Sequence, residues 1–193
     1  MVRAVTILTE NFSDWEPALI NSTGRAYYGF ETCFAAPGGK QVTSSGGMTI
    51  IPDLAIEAIR LDDVDLLIVP GGPIWRTDNA PAIEALVREA HARNIVVAGI
   101  CDGTRVLAKA GVLDHLQHTS NSADNLKQVH YRGADYYQDV PYAVADQGVV
   151  TASGNAPVRQ RWNSQAAAVV GLATSALGFA LFAFFPELEV ALQ

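Results

Sequence analysis

Cysteine is scarce in this chain: Cys33 and Cys101 are the two among 193 residues. Two cysteines cannot build a disulfide framework or a four-thiolate zinc site, and they fit a reducing compartment. Charge is scarce as well. Asp, Glu, Lys and Arg together make up 17% of the chain, below the usual quarter, which argues against a disordered or solvating polypeptide. Cations are the rarer sign: 13 Lys and Arg stand against 20 Asp and Glu, a net charge of −7, and no basic cluster occurs. That balance excludes nucleic acid and anionic membrane surfaces as expected partners. Residues 1–10 hold no apolar run of leader length, so the expected location is the cytosol.

Apolar residues, by contrast, make up 49%, enough for a packed core. At roughly 150 residues per domain the length gives a little over one domain, and a single domain over residues 1–193 is expected. One segment is unusual. From Trp162 to Pro186 there are 25 residues without Asp, Glu, Lys, Arg or His, the length of a membrane span. Its Ala, Gly, Ser and Thr are weak drivers of insertion, and no Lys/Arg-rich flank follows it. The preferred expectation is a last helix, from about residue 156, buried in the core or in a subunit interface.

Short apolar runs alternate with helical patterns. Strands are expected at residues 2–8, 30–36, 65–69 and 95–100, with a further short one at 116–119. Residues 42–51 read as a hairpin around Gly46-Gly47. Residues 140–145 and 149–152 flank a Gln147-Gly148 turn. Helices are expected from Ser13 or Asp14 as cap to about Tyr28, and over residues 54–60, 79–93, 104–110 and 123–129. The pattern predicts an α/β fold: a doubly wound, mainly parallel sheet with helices on both faces, flavodoxin-like in type. Ligands bind such sheets beyond the carboxyl ends of the strands. The loops at residues 9–16, 70–73 and 101–104 therefore mark the expected site.

Cys101 lies where an apolar strand turns into a helix, in Gly99-Ile100-Cys101-Asp102-Gly103. Glycines two before and two after the central residue match the spacing of a nucleophile elbow. Bulk there would clash with the neighbouring strand and helix. The elbow aims the side chain at free helix N–H groups that favour a thiolate. The amides of Asp102, Gly71 and Gly72 are the candidate oxyanion donors. Cys33 reads as a core residue. Trp15, Trp75 and Trp162 are candidate pocket walls or simple packing residues.

The ordered segments 5–8, Asp14-Trp15-Glu16-Pro17, 62–72 (DDVDLLIVPGG), 98–114 (AGICDGTRVLAKAGVLD), His118-Thr119-Ser120-Asn121, 131–135 and Thr151-Ala152-Ser153-Gly154 resemble the ThiJ/PfpI superfamily. That superfamily has a class I glutamine amidotransferase-like fold and includes a parkinsonism-associated deglycase, intracellular protease/amidases and isonitrile hydratase. The resemblance implies Cys101 as the reactive cysteine, Glu16 as the acid hydrogen-bonded to its thiol, and Gly71 and Gly72 as the facing loop. It also implies a homodimer acting on a small molecule. Asp14 is the competing acid and is expected to cap the helix instead.

The departures are equally informative. Protease-like members carry His after the cysteine, where this chain has Asp102. A carboxylate is no substitute for an imidazole base, and its charge would oppose the thiolate unless it points away. Asn121 stands where some members place a His; His118 is a weak substitute, and His91 and His115 read as surface residues. Without a Cys–His dyad, peptidase activity is not expected. The His-Pro-Glu ending of true amidotransferases is missing.

The expected function is therefore a cysteine-dependent enzyme acting on a small electrophile, of hydratase, glyoxalase/deglycase or amidase type. Cys101 would be its nucleophile and Glu16 its proton partner. The alternative is a redox-sensing or stress-protective protein acting through oxidation of Cys101. No motif implies a cofactor or metal, since Pro70-Gly71-Gly72-Pro73 lacks the Lys of a phosphate loop.

Overall fold

The computed structural model describes residues 1–154, so the final helix expected from about residue 156, the uncharged 162–186 segment and Trp162 lie outside the described residues. The chain runs β1 (Arg3–Ile7), α1 (Trp15–Tyr27), β2 (Glu31–Ala36), β3 (Val42–Thr43), β4 (Thr49–Ile50), β5 (Leu54–Ala55), β6 (Leu66–Val69), α2 (Glu84–Ala92), β7 (Val96–Ile100), α3 (Gly103–Lys109), α4 (Ala123–Lys127), β8 (Val144–Asp146) and β9 (Val149–Ala152). Seven strands form one sheet in the order β5-β2-β1-β6-β7-β9-β8. All neighbours are parallel except β8 and β9. The doubly wound sheet read from the alternation of strands and helices is thus present.

Every residue of β6, β7 and β9 is buried, as expected of central strands covered on both faces. Alternate residues feed two layers. Val5, Ile7, Leu67, Val69 and Val97 pack with Val87, Ala90, Val106 and Leu107 of α2 and α3. Ala4, Leu66, Ile68, Ala98 and Val150 face the opposite side with Ile20 of α1. From β1 the chain winds to β2 on one side and later returns to β6 on the other. The carboxyl ends of β1 and β6 therefore diverge at a switch point, where α/β sheets open a crevice.

Several local expectations change. Residues 54–60 are not an α-helix: Leu54 and Ala55 pair with Ala35 and Ala36 as an edge strand, followed by a single 3-10 turn at Ile56–Ala58. The helix expected over residues 79–93 begins only at Glu84; Pro81 lacks the N–H to continue a helix upstream. Residues 116–119 form no strand and make one isolated bridge, His118 to Tyr137. The hairpin at Gln147-Gly148 does form, with φ of 43° and 81°. Neither Ser13 nor Asp14 caps α1. The Asp14 carboxylate instead accepts from Ser44 Oγ at 2.5 Å and from the Gly46 amide at 3.0 Å, which ties α1 to the β3–β4 hairpin. A short-range cap competes poorly when a whole hairpin offers two donors to the same oxygen.

Among the described residues no helix is long and apolar enough to cross a membrane.

Candidate active site

Three strand ends supply the site. β1 leads through the loop at residues 8–14 to Glu16 in the first turn of α1. β6 leads to Gly71, and β7 leads to Cys101. The loops are locked to each other: the Ser13 amide donates to Gly71 O at 2.9 Å, and the Gly71 amide donates to Glu16 Oε2 at 2.6 Å.

Cys101 sits in the left-handed region at φ 56°, a conformation that costs a non-glycine residue about 1–3 kcal/mol and persists only where surroundings enforce it. The enforcing contacts are present. The Cys101 amide donates to Ala152 O of β9 at 2.9 Å, and Cys101 O accepts from the Thr104 amide at 3.2 Å and Thr104 Oγ1 at 2.6 Å. Around the elbow a Cβ on Gly99 would press on Leu107, and one on Gly103 would collide with Val69 O. Both small positions flanking the elbow are therefore set by packing.

The sulfur lies in a slot between two further glycines. A Cβ on Gly71 would stand 2.9 Å from both Cys101 Sγ and Glu16 Oε1, and one on Gly154 would stand 3.0 and 2.7 Å from them. The Glu16 carboxyl and the Cys101 thiol are thus pressed together, and Glu16 Oε1, on the sulfur side, is buried without a hydrogen-bond partner among the described residues. Glu16 is 2% exposed. Burial, against the opposing Gly71 hydrogen bond, pushes its carboxyl from 4.5 up to about 7. Burial and then the Glu16 charge push the Cys101 thiol up to about 12. Two acids in one slot titrate as a pair: the first proton leaves near pH 7 and the second is held far more tightly, so above pH 7 the pair carries one negative charge and shares one proton.

Opposite Glu16, Asn121 Nδ2 donates to Cys101 Sγ at 3.0 Å. Its amide is not free to flip: Oδ1 accepts from the Gly154 amide at 3.0 Å and from Ser153 Oγ at 3.4 Å, which leaves the NH2 end for the sulfur. The backbone amide of Asp102 is a second donor to the sulfur. Both donors favour the thiolate.

The Asp102 side chain is turned to Arg76, which it grips through Nε at 2.7 Å and Nη2 at 3.0 Å. The opposing charge anticipated beside the thiolate is therefore paired. Gly72 faces Thr9, Asn11 and Phe12, away from the sulfur. The expectation that the Gly71 amide serves as an oxyanion donor fails, because Glu16 already occupies it. Trp15 Nε1 reaches Gly154 O at 3.5 Å, whereas Trp75 is a core residue whose Nε1 donates to Pro70 O at 2.9 Å. His118 does not join the site. Its Nδ1 is 2.7 Å from Leu116 O, and its ring is fully buried between Tyr131 and Tyr137. Cys33 is buried in β2.

Arg76, Arg105 and Gly154 are site neighbours that the sequence alone did not single out. Gly154 was legible as the end of a small, polar segment; the two arginines had no local signal. Among the described residues no group of three or more His, Cys, Asp or Glu could hold a metal ion.

Residues 2–161 match the DJ-1/PfpI family. A DJ-1 superfamily protein from Agrobacterium tumefaciens has 37% identity and a TM-score of 0.79, covering 98% of this chain and 97% of that one. The Bacillus subtilis "uncharacterized protease YoaZ" is 38% identical over 121 residues, 62% of this chain and 57% of that protein. A Pyrococcus abyssi protein named as a deglycase is 36% identical over 81 residues, 41% of this chain and 48% of its own length. The matches to these two relatives thus span about half their lengths. With the family matched across residues 2–161 and a solved relative superimposing over nearly the whole fold, this chain belongs to the DJ-1/PfpI family.

Proposed function

We propose that this protein is a cysteine-dependent enzyme that adds Cys101 to the carbonyl carbon of a small electrophile, of the 2-oxoaldehyde or carbonyl-adduct type. The observation that carries the reading is the Glu16–Cys101 pair, pressed together between Gly71 and Gly154 with the Asn121 amide on the sulfur. Such a pair is a complete proton device for carbonyl addition. As sulfur bonds to the aldehyde carbon, the C=O π electrons move to oxygen, and the single shared proton passes through Glu16 to that oxygen. Glu16, now a carboxylate, can take the proton from the carbon bearing sulfur, which turns the neighbouring C=O into an enediolate oxygen; it then returns the proton to that neighbouring carbon while the hydroxyl on the sulfur-bearing carbon passes its own proton to the enediolate oxygen and closes to C=O. The resulting thioester is hydrolysed by water to a 2-hydroxy acid, which regenerates the thiol. The net change is addition of one water, with no redox partner.

Peptide hydrolysis asks for more. Its amine leaving group must be protonated by a well-placed imidazole in the Cys–His arrangement. Among the described residues no histidine hydrogen-bonds Cys101, and Asn121 can donate but cannot relay a proton. The deglycase name of the Pyrococcus abyssi relative agrees with a carbonyl-derived substrate.

The test is conversion of methylglyoxal to lactate by the full-length chain. Cys101→Ala is expected to abolish turnover, and Glu16→Gln to lower kcat by about 100-fold or more, with far-UV circular dichroism unchanged in both. Turnover retained in Cys101→Ala overturns the proposal.

A further inference from the structure

The group beside the nucleophile carries more positive charge than its own packing requires. Arg76 uses Nε and one edge of Nη2 to grip Asp102. A guanidinium has five N–H donors, so both N–H groups of Nη1 and the second of Nη2 remain without a partner among the described residues. The Arg76 side chain is 56% exposed while that of Asp102 is 6% exposed. The buried carboxylate thus fixes the plane of the guanidinium and leaves its outer edge to solvent.

Behind Asp102 lies a second cation. Arg105 is buried, and among the described residues its guanidinium donates to neutral oxygens only: Trp75 O, Asn125 O, Asn125 Oδ1 and Gln128 Oε1. Its charge and that of Asp102 act on each other. Arg105 thus adds a buried cation to a chain whose net charge is −7. Asp102 is joined directly to Cys101, so the Arg76 guanidinium is held by the residue that follows the nucleophile. A pre-oriented, half-exposed guanidinium with an unused fork matches a carboxylate geometrically, and a local cationic focus on an acidic protein selects anions where they are needed.

We propose that Arg76, held by Asp102, binds an anionic group of the electrophile, so that the preferred substrates of Cys101 are small carbonyl compounds bearing a carboxylate. This inference rests on Cys101 being the nucleophile. Arg76 sets specificity and takes no proton.

Iodoacetate and iodoacetamide test it without knowledge of the natural substrate. The two differ in charge, and in both the sulfur displaces iodide from CH2 as the C–S bond forms. Alkylation of Cys101 in the full-length chain is followed by intact mass and peptide mapping. The ratio of the iodoacetate to the iodoacetamide rate constant cancels any change in thiolate fraction. We expect this ratio to exceed that of a free thiol by about tenfold at low salt, with saturation in iodoacetate. It should fall towards the free-thiol ratio in Arg76→Gln and at high salt, and recover in part in Arg76→Lys. A ratio equal in the parent and Arg76→Gln, with iodoacetamide still modifying Cys101, overturns the inference and leaves the nucleophile standing. Failure of both reagents to modify Cys101 in the parent overturns both.

Discussion

Replacing Glu16 by Gln should change the pH dependence of stability more than it changes stability itself. The carboxyl is 2% exposed and raised from 4.5 to about 7, chiefly by burial. Its folded value lies above its unfolded value, so its contribution is fully present below pH 4.5 and is lost as pH rises through 7. At about 1.4 kcal/mol per pH unit the loss comes to about 3 kcal/mol. Gln keeps the size of the side chain and an oxygen for the Gly71 amide but cannot ionise. The difference in unfolding free energy between Glu16→Gln and the parent should therefore grow by about 3 kcal/mol in the variant's favour between pH 4.5 and 8, and every titrating group not coupled to Glu16 cancels from it. With urea slopes of about 1–3 kcal/mol per molar, the midpoints should separate by about 1–3 M. Curves that stay parallel within about 0.5 kcal/mol across that range would refute the buried, raised carboxyl. Thiolate ultraviolet absorbance, followed in the same titration, reports where the charge of the pair resides. A step near pH 7 in the parent that disappears in the variant places it on sulfur, and no step in the parent places it on the carboxylate.

Two further outcomes test the surroundings of the sulfur and of His118. Asn121→Leu removes a hydrogen bond to a charged sulfur, worth about 1.5–3 kcal/mol. At a fixed pH below the thiol's pKa it should slow Cys101 alkylation by about 10- to 100-fold, through the smaller thiolate fraction; an unchanged rate would mean that the Nδ2 contact carries no charge stabilisation. His118 has the opposite sign to Glu16. Burial pulls its pKa below the usual 6.5, against the Leu116 hydrogen bond, so its contribution is present above pH 6.5 and lost as pH falls through the lowered folded value. Thermal melting between pH 5 and 8 should show His118→Phe losing less stability on acidification than the parent, and an equal loss would clear His118 of any role.

Much of the fold was legible because its signals are local and redundant. The uninterrupted apolar runs of β6 and β7, bounded by Pro70-Gly71-Gly72 and by the Cys101 elbow, admit few readings other than central parallel strands. Asp14 and residues 54–60 were misread for a common reason. A cap or a short helix is judged from neighbours within four residues. The competing partners came from Ser44 and Gly46, and from Ala35 and Ala36, each some twenty to thirty positions away.

The site divides in the same way. Cys101, Glu16 and Gly71 each announce themselves in a short motif, and Asn121 was visible as the residue standing where an imidazole would complete a dyad. What the motif could not convey is that Asn121 is oriented from behind, through Oδ1, by the Gly154 amide and Ser153. Nor could spacing show that Asp102 faces Arg76, because residue 76 lies in a turn after a different strand. Together these arrangements explain how the site does without histidine. Asn121 Nδ2–H and the Asp102 amide both donate to the sulfur, and Arg76 neutralises the adjacent carboxylate. Among the described residues, the only group against the sulfur that can exchange a proton near pH 7 is Glu16. A site with one proton carrier and several fixed donors is suited to reactions in which the same proton is handed out and taken back, as carbonyl addition and isomerisation require. It is ill suited to expelling an amine that leaves with a proton of its own.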